Sequence, residues 1–117
     1  MKPLSVGFLV FEGFMALDLV GPFDAFTSAF LGDPNKQPSR CYEALVIGLA
    51  DRAFTSESGI VFKPHKTINN APQLDTLIIP GGVGLRVPET QKKVADWVSS
   101  RAAKTRRIAW QTKRAIK

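Results

Sequence analysis

Apolar positions in this chain fall into short runs separated by stretches rich in glycine, proline and charge. Leu4 to Phe11 is continuous and rich in Val, Leu and Phe, a pattern that predicts a strand buried on both faces, as in a parallel sheet. Glu12-Gly13 breaks it. Leu19, Phe23, Phe26 and Phe30 then recur at helical spacing and predict one amphipathic helix, with Pro22 acceptable if it lies in the first turn. Gly32-Asp33-Pro34-Asn35 is expected to end that helix, and the polar run to Arg40 to form a loop. Cys41 to Leu49 reads as a second strand. Ala53-Phe54-Thr55 and Ile60-Val61-Phe62, joined by Ser-Glu-Ser-Gly, read as a hairpin, and Thr67 to Gln73 as one helical turn. Asp75 to Ile79 is a third buried strand, ended by Pro80-Gly81-Gly82. Pro88 opens a helix with Glu89 in its first turn and Val94, Trp97, Val98 and Ala102 on its buried stripe. Arg106 to Trp110 is the next strand.

Strands alternating with helices predict a doubly wound α/β sheet, with ligands at the carboxyl ends of strands where the chain order reverses. A chain of 117 residues, 44% hydrophobic and 22% charged, supports one small domain of ordinary globular composition. The net charge of +6 is unevenly placed. Arg101, Lys104, Arg106, Arg107, Lys113, Arg114 and Lys117 give residues 101–117 seven cations and no acid, whereas residues 1–100 carry nine basic and ten acidic side chains. A uniformly basic nucleic-acid-binding face is therefore excluded, and a basic C-terminal end remains. A single cysteine, Cys41, excludes an internal disulfide framework and a multi-cysteine zinc site, and a reducing, cytoplasmic setting is expected. Val6 to Phe11 is too short to span a membrane, and no secretory leader is expected.

Asp18 stands among Phe14, Met15, Ala16, Leu17, Leu19 and Val20. One reading is a partly desolvated acid able to exchange a proton near neutral pH; the other is a helix N-terminal acid that satisfies free N–H groups and the dipole. Gly81 and Gly82, just past a strand end, are candidates for backbone donors of oxyanion type. Pro80 to Arg86 matches neither a dinucleotide fingerprint nor a phosphate loop. Cys41 is expected to be a packed, inert thiol, His65 a surface side chain without partners for a metal, and Glu12 a solvated turn residue. No cofactor and no metal site are expected.

Val6-Gly7-Phe8-Leu9-Val10-Phe11, Leu17-Asp18-Leu19-Val20-Gly21-Pro22 with Phe26, Asp75-Thr76-Leu77-Ile78-Ile79-Pro80-Gly81-Gly82 with Gly84 and Arg86, and Arg106-Arg107-Ile108-Ala109 together resemble the ThiJ/PfpI superfamily of class I glutamine amidotransferase-like domains. The likeness is to the N-terminal domain of AraC-type transcription regulators and to isocyanide hydratases. It implies a flavodoxin-like, mostly parallel sheet and a dimer. It also implies a cysteine on a sharp elbow after the strand matching Arg106 to Ala109, acting beside an acid at the position of Asp18, with the Pro-Gly-Gly turn bordering the same pocket.

The sequence departs from that pattern at the elbow. Where a Ser-Val-Cys-Thr-Gly-like turn is expected, the chain reads Trp110-Gln111-Thr112-Lys113-Arg114. Thr112, without a nearby base, is a poor nucleophile. The expectation is a partial domain over residues 1–109, cut short after the fourth or fifth strand, with a divergent basic tail over 110–117. It is expected to be non-catalytic, akin to the ligand-sensing and dimerisation module of an AraC-type regulator, with a small-molecule ligand and a homodimer as partners. Two alternatives stand beside it: a hydratase-like or related hydrolase using Asp18, and weak nucleic-acid binding through the tail. Direct DNA binding is not expected without a helix-turn-helix.

Overall fold

The computed structural model describes residues 2–31 and 39–111, and of Phe30 and Leu31 the backbone alone. Thr112, Lys113, Arg114, Lys117 and the expected stop at Gly32 to Asn35 lie outside the described residues. The main sheet has five parallel strands: β1 (Leu4–Val10), β4 (Tyr42–Gly48), β7 (Lys66–Thr67), β8 (Thr76–Pro80) and β9 (Arg107–Gln111), in the order β7-β4-β1-β8-β9. Two small antiparallel pairs complete the strands, β2 (Phe30–Leu31) with β3 (Ser39–Arg40) and β5 (Phe54–Thr55) with β6 (Val61–Phe62). This is the mostly parallel α/β sheet expected of a flavodoxin-like fold, and β9 runs on through Trp110 to Gln111.

β1 is central because both of its edges and both of its faces are used. Val6, Phe8, Leu9 and Val10 are fully buried although alternate side chains point to opposite faces. On one face the Phe8 ring meets Phe23 at 5.3 Å and Phe26 at 6.1 Å, and Phe26 meets Tyr42 at 4.8 Å. These contacts seat α1 (Ala16–Thr27) over β1 and β4. Leu9 and its register partner Ile47 point to the other face. That face is left for α2 (Pro88–Arg101), because right-handed crossovers running in opposite directions from the sheet centre place their helices on opposite sides.

α2 follows the sequence pattern: Pro88 is its first residue, Glu89 lies in its first turn, and Val94, Trp97 and Val98 are buried. Ala102 is exposed in the 3-10 turn Ala102–Lys104 that follows. α1 departs from its pattern twice. It ends at Thr27, three residues short of Phe30, which pairs with Arg40 instead. It also begins at Ala16, so Pro22 is in the helix interior and not its first turn. A proline there removes one helical hydrogen bond, and Gly21 before it has no Cβ to crowd the proline ring. The expected turn over Thr67 to Gln73 contributes β7 at its start, and Asn70 Oδ1 accepts the Thr67 N–H at 2.7 Å.

Candidate functional site

The sheet reverses its winding beside β1, which has β4 on one edge and β8 on the other. The crevice at the carboxyl ends of β1 and β8 is where such folds bind ligands. Here it holds the Glu12 to Met15 loop, the first turn of α1 and the Pro-Gly-Gly turn after β8.

Asp18 and Gly81 meet there. The Gly81 N–H donates to Asp18 Oδ2 at 3.0 Å, and the Gly81 carbonyl accepts the Met15 N–H at 2.8 Å. Met15 is the N-cap of α1 and offers no side-chain cap, and Asp18 is the third residue of the helix. In a capping box those two positions satisfy one another directly. In this chain Gly81 stands between the Met15 N–H and the Asp18 carboxylate, accepting from the one and donating to the other, and the Asp18 N–H donates to the Met15 carbonyl at 3.2 Å. Asp18 is thus a helix-terminal acid whose partner is the turn after β8.

The same turn is clamped from two further sides. Gly84 N–H donates to the Gly13 carbonyl at 3.1 Å, and Gly13 N–H donates to the Thr55 carbonyl at 2.8 Å. Glu57, in the β5–β6 hairpin, gives its N–H to the Phe14 carbonyl at 2.8 Å, and its Oε1 accepts the Val83 N–H at 3.2 Å. A Cβ on Gly84 would collide with the Glu12 carbonyl oxygen, and one on Gly82 with the backbone of Gly13, Phe14 and Met15. Gly82 also has φ +133°, where a side chain is strained. The glycines allow two loops to lie backbone to backbone.

This arrangement alters the expected donor set. The Gly81 N–H is engaged by Asp18 and is not directed at a ligand. The Gly82 N–H has no acceptor among the described residues and remains the available donor of the pair. Arg86, at the end of the 3-10 turn Val83–Arg86, is exposed on the rim.

Glu12 is less free than its turn position suggested. Its Oε1 accepts Arg52 Nη1 at 3.0 Å and the Thr55 N–H at 3.3 Å. The Arg52 hydrogen bond, helped by that from Thr55, holds its carboxyl below the usual range against a smaller opposing effect of burial. Arg52 in turn lies over the Phe54 ring, 4.1 Å from its centroid. Sequence reading missed Arg52 and Glu57, since each acts on a loop distant in the chain and neither belongs to a periodic pattern.

The other candidates lie elsewhere. Cys41 precedes β4, and its carbonyl accepts the Leu4 N–H at 3.0 Å, at the amino ends of the strands. The seven residues of β4 separate it from the carboxyl-end crevice by about 20 Å. His65 sits on the β7 edge, with its ring stacked on Phe23. Arg101 is no free cation of the basic end: Nη1 and Nη2 donate to the Pro72 and Ala71 carbonyls at 2.7 and 2.8 Å, and its guanidinium lies over Trp97. Among the described residues no group of three His, Cys, Asp or Glu side chains could hold a metal, and no helix is long and apolar enough to cross a membrane.

Comparison with known proteins agrees with this geometry. Residues 4–110 match the DJ-1/PfpI family model. The chain is 32% identical over 105 residues to isonitrile hydratase of Pseudomonas putida, covering 90% of this chain and 42% of that protein. It is 27% identical over 108 residues to the HTH-type transcriptional regulator GbdR of Pseudomonas aeruginosa, covering 92% of this chain and 28% of that one. It therefore spans less than half the length of either relative. Its fold superposes on a ThiJ/PfpI family protein from Pseudomonas syringae with a TM-score of 0.77 at 23% identity, covering 94% of this chain and 42% of that one. An AraC family transcriptional regulator from Pseudomonas putida gives a TM-score of 0.59 at 18% identity, covering 86% of this chain and 61% of that one. The matched residues include β1, Asp18, the Pro-Gly-Gly turn and most of β9, and the chain belongs to the DJ-1/PfpI family.

Proposed function

We propose that this chain works as a non-catalytic DJ-1/PfpI domain, related to the ligand-sensing and dimerisation module of an AraC-type transcription regulator. The observation that carries this reading is the separation of acid and thiol. The one cysteine of the sequence, Cys41, lies at the amino ends of the strands, and Asp18 lies at their carboxyl ends bound to Gly81. Thiolate chemistry beside an acid needs both groups within hydrogen-bond reach of one substrate. The residues after β9, Thr112-Lys113-Arg114, supply no thiol. What the crevice retains is a fixed turn with the Gly82 N–H and Arg86 at its rim, suited to holding a small polar ligand. Leu17, 74% exposed, and Val20 lie one turn apart on the outer side of α1 and support the dimerisation half of the proposal.

The test is an isonitrile-hydration assay on the purified chain, run beside sedimentation at several concentrations. The expected result is no turnover above buffer and a dimer weakened by Leu17→Glu. Turnover that survives Cys41→Ala but is lost in Asp18→Ala and Thr112→Ala would overturn the non-catalytic reading. That outcome would favour the second reading, a hydratase-like enzyme, which the 32% identity to isonitrile hydratase supports. A monomer at every concentration would overturn dimerisation.

A further inference from the structure

His65 is bonded to a single residue of β4 through both its backbone and its ring. Its N–H donates to the Val46 carbonyl at 2.8 Å, and the Val46 N–H donates to His65 Nδ1 at 2.9 Å. The ring here does the work of a carbonyl that the ladder lacks. β7 pairs only Lys66 and Thr67 with Ile47 and Gly48, and Ile68 N–H adds one bond to the Gly48 carbonyl at 3.0 Å. Without the imidazole, the Val46 N–H would face the edge of the sheet with no acceptor from this segment.

An Nδ1 that accepts a hydrogen bond carries no proton, so the ring holds its proton on Nε2. The imidazolium form has N–H groups at both positions and can accept at neither. Gaining a proton would set two donors, Nδ1–H and the Val46 N–H, against each other. The ring has a second partner that tolerates the charge. It stacks on Phe23 with centroids 6.3 Å apart and planes 19° from parallel, and an aromatic face attracts a cation. Protonation thus removes the ring's bond to β4 and leaves the backbone bonds of the segment and the ring's contact with α1.

We propose that His65 is a proton-operated latch on the β7 edge of the sheet. The neutral ring adds its bond to the backbone bonds that hold the segment from His65 to Ile68 on β4, and proton uptake loosens that edge. His65 is exposed, and the elements beside it are α1, β4 and its own segment. α1 contributes the carboxylates Asp18 and Asp24, β4 the Tyr42 phenol and Glu43, and the segment itself Lys63 and Lys66. Asp18 is bound to Gly81, and Glu43 points to the face opposite Val46. None of these groups is hydrogen-bonded or ion-paired to the imidazole among the described residues.

The test is amide exchange by NMR on the isotope-labelled full chain, between about pH 8 and about pH 5, the range in which an imidazole gains its proton. Ring protonation is followed through the His65 Cε1–H shift. Protection factors corrected for intrinsic exchange are expected to fall about tenfold or more at Val46 and Ile68 in step with the ring, and to stay constant at Phe8. In His65→Asn, whose Oδ1 can stand where Nδ1 does, protection at Val46 is expected to persist across the range. Protection at Val46 that stays flat while the ring titrates would overturn the latch, as would an equal fall in His65→Asn. The wild-type titration decides the matter even if a variant fails to fold.

Discussion

Asp18 Oδ2 accepts the Gly81 N–H at 3.0 Å across 63 positions of sequence, while the Gly81 carbonyl accepts the N-cap N–H of the helix on which Asp18 stands. An amide oxygen can replace the carboxylate oxygen in that bond, but a methyl group cannot. Asp18→Asn is therefore expected to melt in urea close to the parent chain. Asp18→Ala should lose about 1–2 kcal/mol by leaving the Gly81 donor unpaired. A chain in which Asn and Ala are equally destabilising would show that charge, rather than acceptance, matters at this position.

Gly59 in the β5–β6 turn and the two glycines of the crevice, Gly82 and Gly84, separate backbone strain from collision. Gly59 has φ +93° with open space where a Cβ would stand, so Gly59→Ala should cost only about 1–2 kcal/mol. Gly84→Ala has ordinary backbone angles but meets the Glu12 carbonyl, and Gly82→Ala combines strain with three backbone contacts. Both should cost about 3 kcal/mol or more, or prevent folding. Denaturant midpoints for the three variants give the order directly.

Pro22 offers a gain. In the interior of α1 it forfeits a helical hydrogen bond, so Pro22→Ala is expected to raise stability by about 1–2 kcal/mol. Part of the benefit is offset by the freer unfolded chain. A loss on substitution would mean that Pro22 helps to seat Phe23 and Phe26 against Phe8.

Glu12 sets a pH dependence of known sign. Its carboxyl is held below the ordinary value of 4.5 by Arg52 and Thr55, so its folded pKa is depressed. Its contribution is fully present above the ordinary value and is lost as pH falls through the folded one. With the Glu12 and Arg52 side chains 53% and 56% exposed, solvent screening keeps the effect below about 1 kcal/mol. Glu12→Gln should flatten the acid limb of stability against pH slightly, and high salt should mask the difference.

Thr105 makes a contrasting case. Its Oγ1 is buried and has no partner among the described residues. Thr105→Val keeps the shape and removes the unpaired hydroxyl, and is expected to stabilise the chain by about 1 kcal/mol in thermal or urea melts. A clear loss would reveal a hydrogen bond made by that hydroxyl in solution.

The strands β1, β4 and β8 and the helix α2 were legible because burial on two faces, or on one helical stripe, leaves a strong pattern. The end of α1 was not. Phe30 continues the stripe of Leu19, Phe23 and Phe26, yet the chain turns at Ser28 and Ala29, whose carbonyl accepts the Cys41 N–H. A long-range backbone bond decided what periodicity could not. β7 was missed for a related reason, since two residues held partly by the His65 ring leave no pattern. At the crevice, Asp18 and the Pro-Gly-Gly turn were legible as candidates, but their bond was not. Spacing cannot reveal that Gly81 gives its N–H to Asp18 and so ceases to be a ligand donor.

The position of β1 has a consequence for how the molecule comes into being. It is the first of the described strands to be made, yet its neighbours are Tyr42–Gly48 and Thr76–Pro80. During synthesis one edge of its run of Val, Phe and Leu waits for Gly48 and the other for Pro80, so the strand is flanked on both sides only after most of the described chain has followed. Such late, non-local pairing is slow and leaves an apolar strand open to strangers in the interval. The most buried segment of the finished molecule is thus the longest exposed in the growing one, and a nascent chain held short of Thr76 should be a ready client for a chaperone.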